Sequence, residues 1–308
     1  PSSLNLIMAR KRKYFLISLA EFIPLFFIEL LFSLLPMNFA YKVSEIIAKL
    51  VFFFDFKHRK RTIQHLIHAG ITADLAKARI LAKKNFIHFA NVFVDTIKFK
   101  KVYNSKEKII EAVKLEGNPD SIKKFLSPTA ENAIVITAHY GNWEVAGIIY
   151  CAITGRKILT VMRKLDNPLM ETRVIARRIG YGVQLIPKEN SLRKLLKSLK
   201  NKESICIIAD QHTSKSEGVE VKFFGQPARA HKSPVILHNK TLTPIFVAVC
   251  ERIGHLKCKI KLKDPIIYDA KRSIEDTVQL YTSQIEELIR ENPDQWCWTH
   301  RRWLNINR

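Results

Sequence analysis

The sequence predicts an α/β protein: a largely parallel sheet flanked by helices, preceded by membrane-associated helices. Beyond residue 133, short apolar runs alternate with helical patterns, which is typical of a parallel sheet covered on its faces. Near the N-terminus, residues 14–35 form an apolar segment of about membrane-spanning length. Hydrophobic residues make up 47% of the chain, enough for a large core. We therefore predict a membrane-anchoring helical segment over residues 1–56 and an α/β domain over residues 57–308.

The apolar segment at residues 14–35 has two interpretations. It contains Glu21, Pro24 and Glu29, and buried acids are costly in a membrane span. The segment either crosses the bilayer once or lies in its interface with the acids kept wet or paired. A second apolar segment, residues 41–56, follows, and basic runs flank both segments. We favour membrane attachment by both helices with the basic flanks cytoplasmic; the alternative is that both are ordinary core helices.

The remaining elements follow from hydrophobic periodicity. A long helix is predicted over residues 73–98, and a turn over residues 115–119. Strands are predicted at 133–136, 158–162, 182–187, 204–209, 244–250 and 257–262. Helices are predicted at 145–151, 168–178, 191–200, 231–240 and 274–292. This alternation is the basis of the predicted fold class.

The stretch from His139 to Glu144 lies between a predicted buried strand and a predicted buried helix. Gly141 falls in the turn, and Asn142 is a plausible N-cap. If the turn brings His139 and Glu144 together, the carboxylate holds one imidazole nitrogen and leaves the other free as a general base. Backbone N–H groups at the turn and helix start would face a developing oxyanion. The non-catalytic interpretation is a surface histidine, with Glu144 favouring the helix N-terminus.

Two further groups of polar residues follow predicted strands. Arg163 comes after the strand at 158–162 and is a candidate for binding a phosphate or another acidic group; otherwise it is a solvated arginine. Asp210 and Gln211 follow the strand at 204–209, at the strand ends where ligands of α/β sheets gather. Asp210 is either a substrate-positioning acid or a turn residue.

The C-terminal stretch, residues 292–303, is rich in tryptophan and in basic residues. Taken alone, it fits a membrane-interface belt or an RNA-stacking surface equally well. Its tryptophans are also compatible with a plain position in the core.

Composition limits the partners. There are 51 Lys and Arg against 28 Asp and Glu, a net charge of +23, which indicates an anionic partner such as a membrane surface, an acidic substrate or nucleic acid. No nucleic-acid-binding signature is visible, so no nucleic-acid partner is predicted. The five cysteines are odd in number and form no CxxC pair, which favours reduced thiols in a cytosolic protein over a metal site.

The hexapeptide His-Tyr-Gly-Asn-Trp-Glu at residues 139–144 resembles the HxxxxD/E motif of glycerolipid-type acyltransferases. Its residues are similar to those of the late lipid A acyltransferases, the lauroyl and myristoyl transferases. Arg163, the Asp210-Gln211 pair, the Phe-Phe-Gly-x-Pro-Ala segment within residues 218–228 and the C-terminal stretch match the same family. The chain departs from the family pattern beside Arg163 and after residue 228.

This resemblance implies transfer of a fatty acyl chain from acyl carrier protein, or less often coenzyme A, to a hydroxyl of a lipid A precursor. It implies that His139 is the base, that Glu144 orients it, and that Arg163, Asp210, Gln211 and Asn142 contact the substrate. No cofactor or metal is implied, and the place of action is the cytoplasmic face of the bacterial inner membrane. The alternatives are another glycolipid or lysophospholipid acceptor, such as a mannoside, and, more distantly, a non-enzymatic basic membrane- or RNA-binding protein.

Overall fold

The computed structural model describes residues 3–127, 132–189 and 191–303; of residues 3–13 it describes the backbone. The N-terminal part is helical: α1 Ser3–Leu34, α2 Met37–Phe54, α3 Phe56–His68 and α4 Leu75–Val102. Asp55 accepts a hydrogen bond from the His58 N–H at 3.0 Å, which caps α3. Asp74 caps α4 in the same way. The long helix predicted over residues 73–98 is therefore present and extends one turn further.

A seven-stranded sheet lies at the centre of the remaining chain. Its strands are β1 Lys114–Glu116, β2 Ile134–Thr137, β3 Ile158–Met162, β4 Val183–Pro187, β5 Ser204–Ile208, β8 Ile245–Gly254 and β9 Lys257–Leu262, in the order β1-β9-β8-β2-β5-β3-β4. The five strands from β8 to β4 are parallel, whereas β9 runs antiparallel to β8. The predicted, mostly parallel sheet is confirmed.

Helices cover both faces of this sheet, and each face has its own apolar cluster. The helices are α5 Lys106–Ala112, α6 Pro119–Leu126, α7 Trp143–Thr154, α8 Pro168–Arg178, α9 Ser191–Lys200, α10 Ser233–Thr241 and α11 Ile274–Glu291. Ile134 and Ile136 of β2 belong to one cluster, and Ala133 and Val135 belong to the other. Because successive side chains point to opposite faces, this strand is apolar throughout. An uninterrupted run of apolar residues is therefore the pattern that predicts strand β2.

Two features differ from the sequence prediction. The predicted turn at residues 115–119 overlaps strand β1, which has only three residues and pairs with β9 at the edge of the sheet. Residues 218–231 form an antiparallel hairpin, β6 Gly218–Phe223 and β7 Gln226–His231, where no strand is predicted. Alternation of the buried Val221 and Phe223 with the exposed Lys222 carries the strand signal, and Gly225 closes the turn with φ +71°.

The N-terminal helix packs against the α/β part on one side. Ser18, Glu29 and Phe32 are buried, while most large apolar side chains between Tyr14 and Leu34 are exposed. In the described part of the chain, one segment, Tyr14–Leu34, is long and apolar enough to cross a membrane. Helix α2 has an exposed apolar face that includes Ile46, Leu50, Phe53 and Phe54.

Candidate functional site

The carboxyl ends of the central strands bring His139 and Asp210 together. Strands β2 and β5 are parallel neighbours, and Thr137 pairs with Ile208. His139 and Asp210 each follow two residues after these partners, so the shared register places them side by side. Sequence patterns predict both strand ends, but a strand order that makes them adjacent is visible only in the fold.

The carboxylate of Asp210 accepts hydrogen bonds from three donors. Its Oδ1 lies 2.9 Å from His139 Nδ1, and its Oδ2 accepts from the His139 backbone N–H at 2.9 Å. The indole N–H of Trp296 donates to the same Oδ2 at 2.7 Å. Burial by itself raises the pKa of Asp210, but the His139 charge and these hydrogen bonds outweigh it and lower the pKa to about 2. Asp210 therefore stays ionised and holds the His139 ring from its buried side, while its contact with substrate stays a prediction.

The imidazole of His139 is arranged to act as a base. Its side chain is 23% exposed, whereas that of Asp210 is only 2% exposed, so the ring is accessible from outside and the carboxylate is shielded. Because Nδ1 donates to the ionised Asp210, the neutral ring carries its lone pair on Nε2. Burial lowers the pKa of His139, but the charge and hydrogen bond of Asp210 more than offset burial, and the net pKa lies above 6.5.

Glu144 has a different partner from the one expected. Its carboxylate accepts two hydrogen bonds from Arg178, at 2.7 Å from Nε and 2.6 Å from Nη2. Glu144 projects from the first turn of α7 toward the last turn of α8, and a bidentate guanidinium is a stronger partner than a single ring N–H. The carboxylate that holds the His139 ring is that of Asp210. Glu144 acts on His139 through charge, which contributes to its raised pKa.

The turn after His139 is held closely against strand β8. Gly141 has φ +58°, and a Cβ there would lie 1.9 Å from the carbonyl oxygen of Cys250. The N–H of Gly141 donates to Gln295 O at 3.1 Å, and that of Asn142 donates to Cys250 O at 2.7 Å. These two N–H groups are therefore not available for the oxyanion expected at the turn.

Asn142 occupies the N-cap position of α7 without acting as a cap. Its side chain is buried and makes no capping hydrogen bond. Within the described residues, both side-chain polar atoms lack a hydrogen-bond partner. Buried polar atoms are normally paired, so this amide is suited to a ligand, although contact with substrate stays a prediction.

The C-terminal strap, residues 294–303, is hydrogen-bonded to the two loops that carry His139 and Gln211. The N–H of Cys297 donates to His139 O at 3.0 Å. The buried guanidinium of Arg302 donates to Gln211 O at 3.0 Å through Nη1. On the other side, the Asn85 amide donates to Asp294 O and Trp296 O, each at 2.7 Å. The tryptophans of the strap are buried in the core, so the strap fixes the site from the inside.

Of the remaining predicted site residues, Gln211 lies next to the imidazole of His139 and Arg163 lies further away. The amide nitrogen of Gln211 is 3.3 Å from Nδ1 and 3.4 Å from Nε2 of His139. Arg163 is exposed after β3, two strands away from β2, or about 10 Å along the sheet edge. Among the described residues, Arg163 makes no hydrogen bond or ion pair. Its predicted role toward an anion is compatible with this position but stays a prediction.

Two apolar cavities meet at Trp143, whose ring lies 5.6 Å from that of His139. The α1–α8 cavity has a volume of about 300 Å³ and is lined by Leu25, Glu29, Phe89, Val92, Phe93, Thr96, Trp143, Glu144, Met170, Arg173, Val174 and Arg177. The α2–α4 cavity has a volume of about 320 Å³ and is lined by Ile47, Ala48, Val51, Phe86, Phe89, Ala90, Trp143, Cys297 and Thr299. Both volumes are those of small ligand pockets.

Three contributors to the site are missed by sequence reasoning. Trp296, Arg302 and Arg178 receive no role from the sequence, although the first two lie in a stretch that matches a family motif. Trp296 lies 86 residues from Asp210, and Arg178 lies 34 residues from Glu144. A single sequence carries no local signal for such distant pairs.

The chain is similar to several known proteins. A family model described as bacterial lipid A biosynthesis acyltransferase matches residues 8–305. Phosphatidylinositol mannoside acyltransferases of Mycobacterium tuberculosis and Mycolicibacterium smegmatis are 29% and 28% identical over 122 residues, which is 38% of this chain. The match spans 38% and 40% of these two relatives, respectively. Among solved structures, the 1-acyl-sn-glycerophosphate acyltransferase PlsC of Thermotoga maritima aligns with a TM-score of 0.40 and 15% identity, covering 83% of this chain and 97% of that one.

Proposed function

Because the chain belongs to the bacterial lipid A biosynthesis acyltransferase family, we propose that it moves a fatty acyl chain from a thioester of acyl carrier protein or coenzyme A to a hydroxyl of a lipid A precursor. The observation that carries this proposal is the pair of His139 and the ionised Asp210. The pair lies next to Trp143, where two apolar cavities meet.

In the proposed reaction, His139 Nε2 takes the proton of the acceptor hydroxyl as the hydroxyl oxygen attacks the thioester carbonyl. The tetrahedral intermediate collapses, the carbon–sulfur bond breaks, and the thiolate leaves with the proton returned from the imidazolium. Asp210 stabilises that imidazolium and keeps Nδ1 protonated throughout. The thioester is reactive enough that no enzyme nucleophile is required.

Glu144 and Arg178 have a supporting role in this proposal. The negative charge of Glu144 adds to that of Asp210 in favouring the protonated imidazole. Its bidentate bond to Arg178 joins the start of α7 to the end of α8. The HxxxxE pair thus works through charge and helix placement, with the direct hydrogen bond supplied by Asp210.

We place the protein at the cytoplasmic face of the bacterial inner membrane. The thioester donors are cytosolic, and the acceptor is a lipid, so the site has to open where water and bilayer meet. The exposed apolar sides of α1 and α2 suit attachment to a bilayer. The net charge of +23 suits both an anionic phosphoglycolipid and an acidic carrier protein.

A second candidate acceptor is a mannosylated phospholipid. The observation in its favour is that the matched relatives are phosphatidylinositol mannoside acyltransferases. The chemistry at His139 is the same for both acceptors, so the two candidates differ only in the surface that receives the headgroup.

The test is an acceptor screen with the full-length protein in detergent or lipid. Radiolabelled acyl carrier protein and coenzyme A thioesters are offered with a lipid A precursor, a phosphatidylinositol mannoside and a lysophospholipid, and products are separated by thin-layer chromatography. We expect a labelled lipid A product that His139→Ala lowers by roughly a hundred- to ten-thousandfold. Transfer only to the mannoside selects the second candidate. No transfer to any acceptor, or full transfer by a folded His139→Ala variant, refutes the proposal.

A further inference from the structure

Helix α1 contributes to a cavity that adjoins the catalytic histidine. Ser18, Leu25, Glu29 and Phe32 are spaced by seven, four and three residues, so they share one face of the helix. That face is turned inward: Ser18, Glu29 and Phe32 are buried, and Leu25 and Glu29 line the α1–α8 cavity. The helix that contains the membrane-length apolar segment therefore also forms a wall of this internal cavity.

A buried ion pair fixes this wall in place. Glu29 is 3% exposed, and its Oε2 accepts from Arg173 Nε at 3.1 Å and Nη2 at 2.9 Å, and also pairs with Arg177. A carboxylate amid so many apolar residues is costly unless it is paired in this way. At the other end of the contact, the Asn167 amide donates to Ser18 O at 2.8 Å. Helix α8 thus holds α1 at two points.

The α1–α8 cavity extends along helix α4 and has a mostly apolar surface. It includes Phe89, next to Trp143, and continues along α4 to Thr96, a distance of about 10 Å at 1.5 Å per residue. Leu25 and Met170 provide apolar surface on the α1 and α8 sides. The cavity therefore extends away from the His139–Trp143 contact. Apolar side chains of α1, α4 and α8 form most of its surface, and the paired charged residues Glu29, Glu144, Arg173 and Arg177 also line it.

We propose that this cavity holds the acyl chain of the thioester donor, and that Leu25, held in place by the Glu29 ion pair, sets the length of chain that fits. The proposal rests on the proposed function. The α2–α4 cavity on the other side of Trp143 is lined by Ile47 and Val51, which are 42% and 43% exposed on the apolar face of α2. That cavity is open to a lipid acceptor, so the donor chain takes the α1–α8 cavity.

The test compares two substitutions on the same helix. Leu25→Trp fills the cavity, whereas Ile23→Trp adds the same side chain at a position that is 43% exposed and outside the cavity. Activity is measured with donors of increasing acyl length. The quantity compared is a ratio: kcat/KM for the longest accepted donor divided by kcat/KM for a donor four carbons shorter. We expect Leu25→Trp to lower this ratio by at least about tenfold, comparable to losing the burial of two methylene groups. Ile23→Trp should leave the ratio unchanged.

Two further variants keep the outcome decisive. Leu25→Ala enlarges the cavity, so it should extend the accepted range to longer donors, even if Leu25→Trp does not fold. Glu29→Gln should raise the KM for the donor more than it lowers kcat, while leaving sedimentation with membranes unchanged. An active parent whose chain-length profile is the same in both Leu25 variants overturns this inference alone. A parent inactive with every donor and acceptor overturns the proposed function, and this inference with it.

Discussion

Replacing Asp210 by asparagine tests the central geometry, because the structure dictates how the amide must sit. The Oδ2 position receives two N–H donors, from Trp296 and from the His139 backbone. The amide oxygen has to occupy that position, since an NH₂ group there would face two donors. The NH₂ group then points at His139 Nδ1, which can accept its hydrogen bond only without a proton of its own. The proton moves to Nε2, and the ring can no longer act as a base there.

The size of the effect follows from this tautomer exchange. In Ser-His-Asp enzymes, the equivalent exchange lowers kcat by about ten-thousandfold. We expect kcat of the Asp210→Asn variant to fall by roughly a thousand- to ten-thousandfold, or about 4–5.5 kcal/mol of barrier, with KM within about threefold. In the parent, activity should rise with pH through a pKa above 6.5, because the neutral ring is the base. Without the carboxylate, burial dominates, and any residual activity should rise through a pKa below 6.5.

The assay is steady-state acyl transfer over a range of pH, with folding checked by circular dichroism and thermal unfolding. Asp264→Asn is a matched control. That carboxylate accepts a hydrogen bond from Ser121 at 2.6 Å and follows β9, at the end of the sheet where the parallel strands begin. The double variant with His139→Ala should be no slower than His139→Ala alone, because Asp210 acts through the imidazole. A folded Asp210→Asn enzyme within about tenfold of the parent would refute the reasoning.

The remaining predictions concern the surroundings of the catalytic pair. Trp296→Phe keeps an aromatic side chain but removes the indole N–H, one donor to the Asp210 carboxylate, worth about 1.5–3 kcal/mol; kcat should fall by about tenfold at constant KM, and an unchanged kcat would contradict the contact. Gly141→Ala should lower the free energy of unfolding by at least about 2 kcal/mol in denaturant titration, because of its positive φ and the clash with Cys250; equal stability would contradict the turn geometry. Arg163→Ala should raise the KM for an anionic acceptor by about tenfold while kcat stays the same, and Arg163→Lys should restore little of it; unchanged constants would remove Arg163 from the site.

The sequence locates a candidate site residue where a chemically reactive side chain directly follows a recognisable strand pattern. His139 closely follows one buried apolar strand and Asp210 follows another, so hydrophobic patterning alone places both residues at strand ends. Their contact is not predictable in this way, because β5 lies beside β2 only as a result of the strand order. Equally, the five-residue spacing of His139 and Glu144 allows a contact, but Arg178 offers the carboxylate a better partner.

The missed elements share a different cause. Strand β1 has three residues, too few for an alternation of apolar and polar side chains to be recognised in the sequence. The hairpin of β6 and β7 contains Gly218, Gly225 and Pro227, residues that normally mark loops and so mask its alternation. The strap residue Trp296 contacts partners far away in sequence, and its indole donor looks the same in a sequence whether it is packed in a core or bonded to a carboxylate.

The tryptophans lie where their intrinsic fluorescence can report on the site around His139. The chain has four tryptophans. Trp143 lies 5.6 Å from the His139 ring, Trp296 bonds Asp210, and Trp298 and Trp303 pack against Trp296 at 4.6 Å and 6.3 Å. Part of the tryptophan emission therefore arises next to the His139–Asp210 pair, without any added label. A protonated imidazole quenches a neighbouring indole, so the emission of Trp143 should increase as pH rises through the pKa of His139. The rings of His65 and His68 lie 5.4 Å and 5.3 Å from that of Trp303, so His139→Ala should remove the Trp143 part of the titration and leave any part that arises from Trp303.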